Sequence, residues 1–405
     1  MRKLLGLAIA AALLLPGCTT VRDWFRSDDA RAVAPVKLVE IENARGVEEL
    51  WSESLGDGEG DLGFRQRPGF DGTTLYVVAD GGSLTAIDAE SGETRWERDL
   101  EALTNSRGWR VWKRGVREGG LQSSVGVGEG LVVVAGRGGA VFAVAADTGE
   151  PRWEAQASAE VLAAPLVANG LVVVRSQDGR VVGLNAADGK QRWVVDRAIP
   201  TLTSRGASAP VMAAGLVLVG HDDGTLVALR PEDGLVVWEA PVAEPEGRSE
   251  LDRLVDIDGD LALGADAVYA SSARGITAAI SISSGQISWT RDNGGANSVE
   301  LTADGVLVAD KGGTLWSLDR AGGSALWRQE GLLRRQPTGP ALAGNFAVVG
   351  DLEGYLHWFD PRTGEFVARE RVGSARILAT PIVTPTGTVV AVTDEGRLAA
   401  YRLVE

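Results

Sequence analysis

A single pattern is written eight times along this chain, and that repeat leaves few folds open. Gly82 to Trp96 reads GSLTAIDAESGETRW, and Gly139 to Trp153 reads GAVFAVAADTGEPRW. Further copies start at Gly179, Gly224, Gly275, Gly313 and Gly354; an eighth starts at Gly396 and is cut short at Glu405. The seventh copy ends on Ala368 where the others end on Trp. Tryptophans punctuate the series at 51, 96, 153, 193, 238, 289 and 327, at intervals of 38 to 57 residues. Periods near 40 residues belong to propellers and solenoids.

Each copy has a mechanical reading. Leu, Val and Ala alternate along its first run, which is the period of a strand. The Asp-x-x-Thr-Gly type segment that follows is a turn, in which Asp or Asn caps local amides and Gly takes a positive φ. The Trp four residues later lies on the next strand. Upstream comes a further pair of strands, as in residues 161–175. Each unit is therefore a four-stranded antiparallel sheet that must stack on its neighbours around an axis to cover its faces. No long 3.6-residue period is present, which excludes a helical solenoid. The predicted fold is all-β: an eight-bladed β-propeller over residues 47–405.

The two ends carry complementary deficits. The eighth copy lacks its Gly turn and Trp strand, whereas Trp51, in Glu48-Glu49-Leu50-Trp51, has no copy before it. Residues around 47–55 are predicted to supply the missing outer strand of the last blade, closing the ring and removing an open edge.

The first residues read as an address. Arg2 and Lys3 precede an apolar run from Leu4 to Leu15, too short to span a ~30 Å hydrocarbon core, and then come Pro16, Gly17 and Cys18. A small residue immediately before the chain's only Cys resembles a bacterial lipobox. Residues 1–17 are thus expected to be a lipoprotein signal peptide, with Cys18 lipidated; the plainer alternative is a secretory signal with an incidental Cys. Thr19 after Cys18, by resemblance to sorting in Gram-negative bacteria, points to the outer membrane, periplasmic face. Residues 18–46 show no sustained periodicity and are expected to be a flexible tether.

Composition narrows the chemistry. Forty Lys and Arg against 55 Asp and Glu give a net charge of −15, which argues against nucleic acid. One Cys excludes an internal disulfide and a Cys-rich zinc site. Two His, at 221 and 357, make a His-built metal centre or triad implausible. No catalytic residue, cofactor or metal is expected. One basic stretch, residues 105–121, holds Arg107, Arg110, Lys113, Arg114 and Arg117 with Trp109 and Trp112. It reads as a solvated loop packed by its Trp, or as a second contact with a protein or the membrane surface.

The Ala-x-Asp-x-x-Thr-Gly-x-x-x-Trp repeat resembles the quinoprotein propeller repeat, which PQQ-dependent dehydrogenases share with the BamB family of outer-membrane assembly lipoproteins. The lipobox and eight repeats are similar to the latter. So are PTLTSRGASAP (residues 200–210), SELDRLVDID (residues 249–258) and VGDLEGYLHW (residues 349–358). The resemblance covers about 47–405. It implies a non-catalytic scaffold of the Bam complex that binds the POTRA domains of BamA through one propeller rim, assists insertion of β-barrel proteins, and has unfolded outer membrane proteins as further candidate partners. The family's contact residues fall at Leu202, Arg205, Asp256 and Asp258. This chain departs from the family at Ser204, where a second apolar residue is usual.

The residues support that placement independently. Both stretches leave an outer strand for the inner strand of the next blade, so they belong on adjacent blades at one rim. Leu202 would supply an apolar centre, and Arg205 and the two carboxylates would pair with each other or with a partner's charges. A PQQ dehydrogenase remains the alternative, as does a periplasmic polysaccharide-binding propeller. Against the first, most Asp, such as Asp88, Asp147 and Asp360, occupy turn slots. Against the second, Trp316 and Trp358 lie inside strands.

Overall fold

The computed structural model describes residues 34–56, 67–79, 82–100, 125–136, 138–204 and 206–404. The signal peptide, Cys18, the tether to residue 33, the basic stretch 105–121 and Arg205 lie outside the described residues. Thirty-two strands form eight four-stranded antiparallel sheets. Seven blades take their strands in chain order, over 69–99, 126–156, 166–195, 211–241, 262–291, 300–329 and 341–371 (blades I to VII). Blade VIII joins Ile382–Val383, Val389–Val392 and Arg397–Leu403 to an outer strand from the other end of the chain, Val47–Ser54. The register runs from Val47 opposite Leu403 to Ser54 opposite Arg397. Among the described residues, no helix is long and apolar enough to cross a membrane.

Eight apolar clusters, one in each seam between neighbouring blades, form the core. The last of these seals the ring, packing Leu75, Val77 and Ile87 of blade I on Ile382, Val390 and Leu398 of blade VIII.

The repeat's Trp and Gly act as one latch. The indole Nε1–H of each outer-strand Trp donates to a turn carbonyl of the next blade, at 2.7–3.2 Å; Trp51 bonds Ala89 and Trp289 bonds Arg320. The ring face lies on that turn's Gly. At Gly323 φ is +69°, and a Cβ there would stand 2.6 Å from the Trp289 ring. Gly thus supplies both the left-handed backbone and the flat seat. Opposite each Trp across the sheet sits a small residue, such as Ala86, Gly183 or Ser317, and the register slips one residue beyond it. A Trp buried this way contributes on the order of 3–5 kcal/mol.

Blade VII reverses the pair. Trp358, fully buried, stands on the third strand and Ala368 faces it on the outer strand. Its neighbour, blade VIII, is where the chain ends meet, so no Gly turn exists there to seat a Trp. Among the described residues, the Trp358 Nε1 accordingly has no hydrogen-bond partner.

Residues 34–46, placed in the flexible tether by sequence, are packed on the ring in the structure. The guanidinium of Arg334 donates to the Ala34 carbonyl, Arg335 to Val36 and Arg369 to Val39. Leu38 joins the apolar cluster between blades VI and VII, and the Arg45 N–H donates to the Val367 carbonyl on blade VII's outer strand. This strap then turns into the closing strand.

A candidate protein-docking rim

In an up-and-down blade, the connection from outer strand to next inner strand emerges on the same face as the hairpin between the second and third strands. Residues 196–210 make this connection from blade III to IV, and residues 242–261 from IV to V. The two stretches with the recognition-like sequences therefore share a face and adjoin.

They also touch. The Ser204 N–H donates to Asp256 Oδ1 at 3.0 Å, and the Ser204 hydroxyl donates to Asp258 Oδ2. A Cβ at Gly206 would come within 2.6 Å of the Asp258 carboxyl carbon, so the loop backbone presses on that side chain. Alternation fixes the acids: Val255 and Ile257 point into buried apolar surroundings, leaving Asp256 and Asp258 to face the neighbouring loop. Their backbone is pinned from both sides, since the Ile257 N–H donates to His221 of blade IV and the Ala273 N–H of blade V to Asp256.

Exposure separates the candidate residues. Asp256 and Asp258 are buried, whereas Leu202 is 43% exposed and Leu251, in the second loop, 70%. Two carboxylates thus hold a loop that carries an apolar tip.

Beneath them lies a third carboxylate. Oxygens of Asp222, Asp256 and Asp258 lie within 4.8 Å of one another, and Asp222 forms a buried ion pair with Arg175. Burial, reinforced by Asp258, pushes the Asp256 carboxyl up to about 6. Burial likewise pushes His221 down to about 3, helped by Arg175 and Arg197, so this imidazole is neutral. An all-oxygen triad suits a hard cation. Here, however, Arg175 already neutralises Asp222, and Asp256 and Asp258 bind Ser204. The triad is thus engaged by groups of the protein itself.

Sequence reasoning missed Arg175 and Asp222 as parts of this site, and the role of the Ser204 hydroxyl. Asp222 lies in an Asp-Asp-Gly hairpin that reads as an ordinary turn. The available signal was Ser204, a hydroxyl at a position the family fills with an apolar side chain.

A closed ring of short blades, with two adjoining rim loops that carry exposed apolar tips over a buried acidic clip, defines an eight-bladed β-propeller with a loop-bearing rim. A family model described as outer membrane protein assembly factor BamB matches residues 100–329 and 311–404. The outer membrane protein assembly factor BamB of Xanthomonas campestris is 40% identical over 408 residues, covering 100% of this chain and 98% of its own. The chain belongs to the BamB family. A second model, described as the β-propeller domain of glucose/ethanol/alcohol dehydrogenase, matches residues 22–161. Among solved structures, BamB from Moraxella catarrhalis superposes with a TM-score of 0.75 at 22% identity, over 88% of this chain and 100% of that one. Quinohemoprotein alcohol dehydrogenase from Comamonas testosteroni gives 0.67 at 14% identity, over 90% and 78%. At these identities the likeness is one of fold.

Proposed function

We propose that this chain is a non-catalytic scaffold lipoprotein of the outer-membrane β-barrel assembly complex, docking its loop rim on the POTRA domains of BamA. Its family membership supports the assembly role. The observation that carries the docking site is the clip of Ser204 to Asp256 and Asp258, which joins the two recognition-like loops into one surface with Leu202 at its tip. Arg205, which lies outside the described residues, is proposed as a further contact from the sequence alone. Residues 1–17 act as the signal peptide, Cys18 carries the lipid, and the ring faces the periplasm from the outer membrane.

The non-catalytic reading is supported by the commitment of the acidic triad to Arg175 and Ser204. A polysaccharide groove gains no support from Trp316, whose Nε1–H donates to Asp310 at 2.9 Å, or from the buried Trp358.

The test is a pull-down of the tagged full-length protein from detergent-solubilised membranes. Leu202→Asp and Arg205→Glu are each expected to lose BamA while the melting temperature holds. Undiminished BamA recovery with both variants would remove this rim from the interface. Quinone or calcium released stoichiometrically from the purified protein would overturn the non-catalytic reading.

A further inference from the structure

The outer strands of a propeller are sheet edges, which stay solitary only where charge, proline or a covering segment keeps other strands away. Four of the eight edges are defended. Blade I carries Arg95, Glu97, Arg98 and Asp99; blade II opens on Pro151 and continues with Arg152 and Glu154; blade VIII carries Glu48, Glu49 and Glu53. The edge of blade VII is covered by the strap 34–46.

Blade IV differs. Its outer strand, Val236–Pro241, is the last of its sheet, and Leu235, Val236 and Val237 in succession are 57%, 45% and 50% exposed. Three consecutive exposed apolar residues on an edge are a fault in a soluble protein unless something uses them. On blade III, Val194 of the outer strand and Ile199 of the connection that follows it are also exposed. Between the two blades Arg197 bonds Glu239 at 3.0 Å, tying the exit of blade III to the blade IV edge. Pro241 has no N–H to give, so it ends the usable edge.

The molecule shows the kind of occupant that suits such an edge. It fills blade VIII with its own extended segment Val47–Ser54, and lays the strap along blade VII with the Arg45 N–H on the Val367 carbonyl. The first is a paired strand, and the second is held by backbone hydrogen bonds together with the guanidiniums of Arg334, Arg335 and Arg369.

We propose that the outer edge of blade IV binds an extended peptide segment with alternating apolar and polar side chains, which adds to Val236–Pro241 as a fifth strand. Backbone hydrogen bonds supply the affinity, and apolar side chains of the segment cover Leu235, Val236 and Val237. Such alternation is the signature of a β-barrel strand before it folds. That the segment comes from an unfolded outer-membrane barrel rests on the assembly role proposed above.

The test uses the full-length protein in detergent and a fluorescent 12-residue peptide of alternating Val and Ser, read by anisotropy. Wild type is expected to bind saturably. Val237→Lys raises Kd by about tenfold or more with an unchanged melting curve; Val236→Arg serves if the first variant melts early. The same peptide N-methylated at alternate residues fails to bind, because it cannot pair as a strand. Leu202→Asp leaves peptide binding intact while losing BamA, so failure of the rim and failure of this edge are read separately. Absence of binding to wild type, or equal binding of either edge variant or of the N-methylated peptide, overturns the proposal. Sedimentation showing a wild-type dimer that Val237→Lys dissociates makes a second copy the occupant, and overturns it as well.

Discussion

Asp256 and Asp258 are buried while Leu202 stands out in solvent, so the two carboxylates act on a partner through the loop they hold. Ser204 is the link, through its N–H to Asp256 and its hydroxyl to Asp258. Ser204→Ala is expected to cost about 1–2 kcal/mol in urea unfolding and to weaken BamA recovery, although Leu202 itself is untouched. Full recovery of BamA by that variant would separate the clip from the docking surface. Asp256 adds a pH dependence. Its carboxyl is pushed up to about 6 by burial and by Asp258, whereas an Asp in the unfolded chain titrates near 3.9. Between about pH 4 and 6 the folded state therefore binds more protons than the unfolded one, and stability falls as pH rises; above that window the penalty is constant. Asp256→Asn keeps an oxygen for the Ser204 N–H and removes the titration. The stability of wild type relative to this variant is expected to decline by up to about 3 kcal/mol from pH 4 to 7, measured by urea unfolding. A difference that stays flat across this range would mean that Asp256 is ionised throughout.

At the scale of the blade, the Trp and Gly of the repeat are one device split between neighbours. Gly323→Ala forces a non-Gly residue to φ +69° and drives a methyl into the Trp289 ring, so it is expected to cost about 2–4 kcal/mol. Trp289→Ala is expected to cost about 3–5 kcal/mol. Combined, the two should cost less than their sum, because removing the Trp289 ring relieves the methyl clash and leaves only the backbone strain at Gly323; additive losses in a double-mutant cycle would refute the shared latch. This device is also why the fold was legible. Trp spacing gives the blade count, alternation gives the strands, and an orphan Trp51 beside a truncated last copy gives the closure. The exchange at blade VII was half visible. Ala368 showed that a Trp was missing, but only the register that sets Trp358 against it shows where the bulk went. The strap escaped notice because carbonyl oxygens, which every residue has, anchor it to Arg334, Arg335 and Arg369. The acidic clip escaped notice for a related reason: residues 204 and 256 lie on irregular connections, which carry no period, and Asp222 lies in a hairpin that reads as an ordinary turn.

The ring as a whole is closed by pairing alone at one place. The strands of every other blade are consecutive in the chain, whereas within blade VIII Val47–Ser54 meets Arg397–Leu403 with almost the entire protein in between. Closing a flexible loop of that length costs about 5 kcal/mol of chain entropy, so this junction forms last and opens first. On one side it is secured by the Trp51 latch to Ala89. On the other, blade VII offers no Trp, and the strap bridges the gap through Arg45 on Val367 and the Val404 N–H on the Gly46 carbonyl. Arg335, which holds Val36, is itself fixed by Asp351 at 2.7 Å, and the same carboxylate bonds His357 at 2.8 Å. The strap is therefore fastened to a buried polar network rather than laid on the surface. Hydrogen exchange should find faster amides in 47–54 and 397–403 than in the central strands of blades III to V. Deleting residues 34–45 should accelerate 366–371 and 397–403 several-fold and leave blades III to V unchanged. Uniform protection around the ring, or acceleration spread equally over all eight blades, would show that the seam is no weaker than its neighbours and that the strap is not its brace.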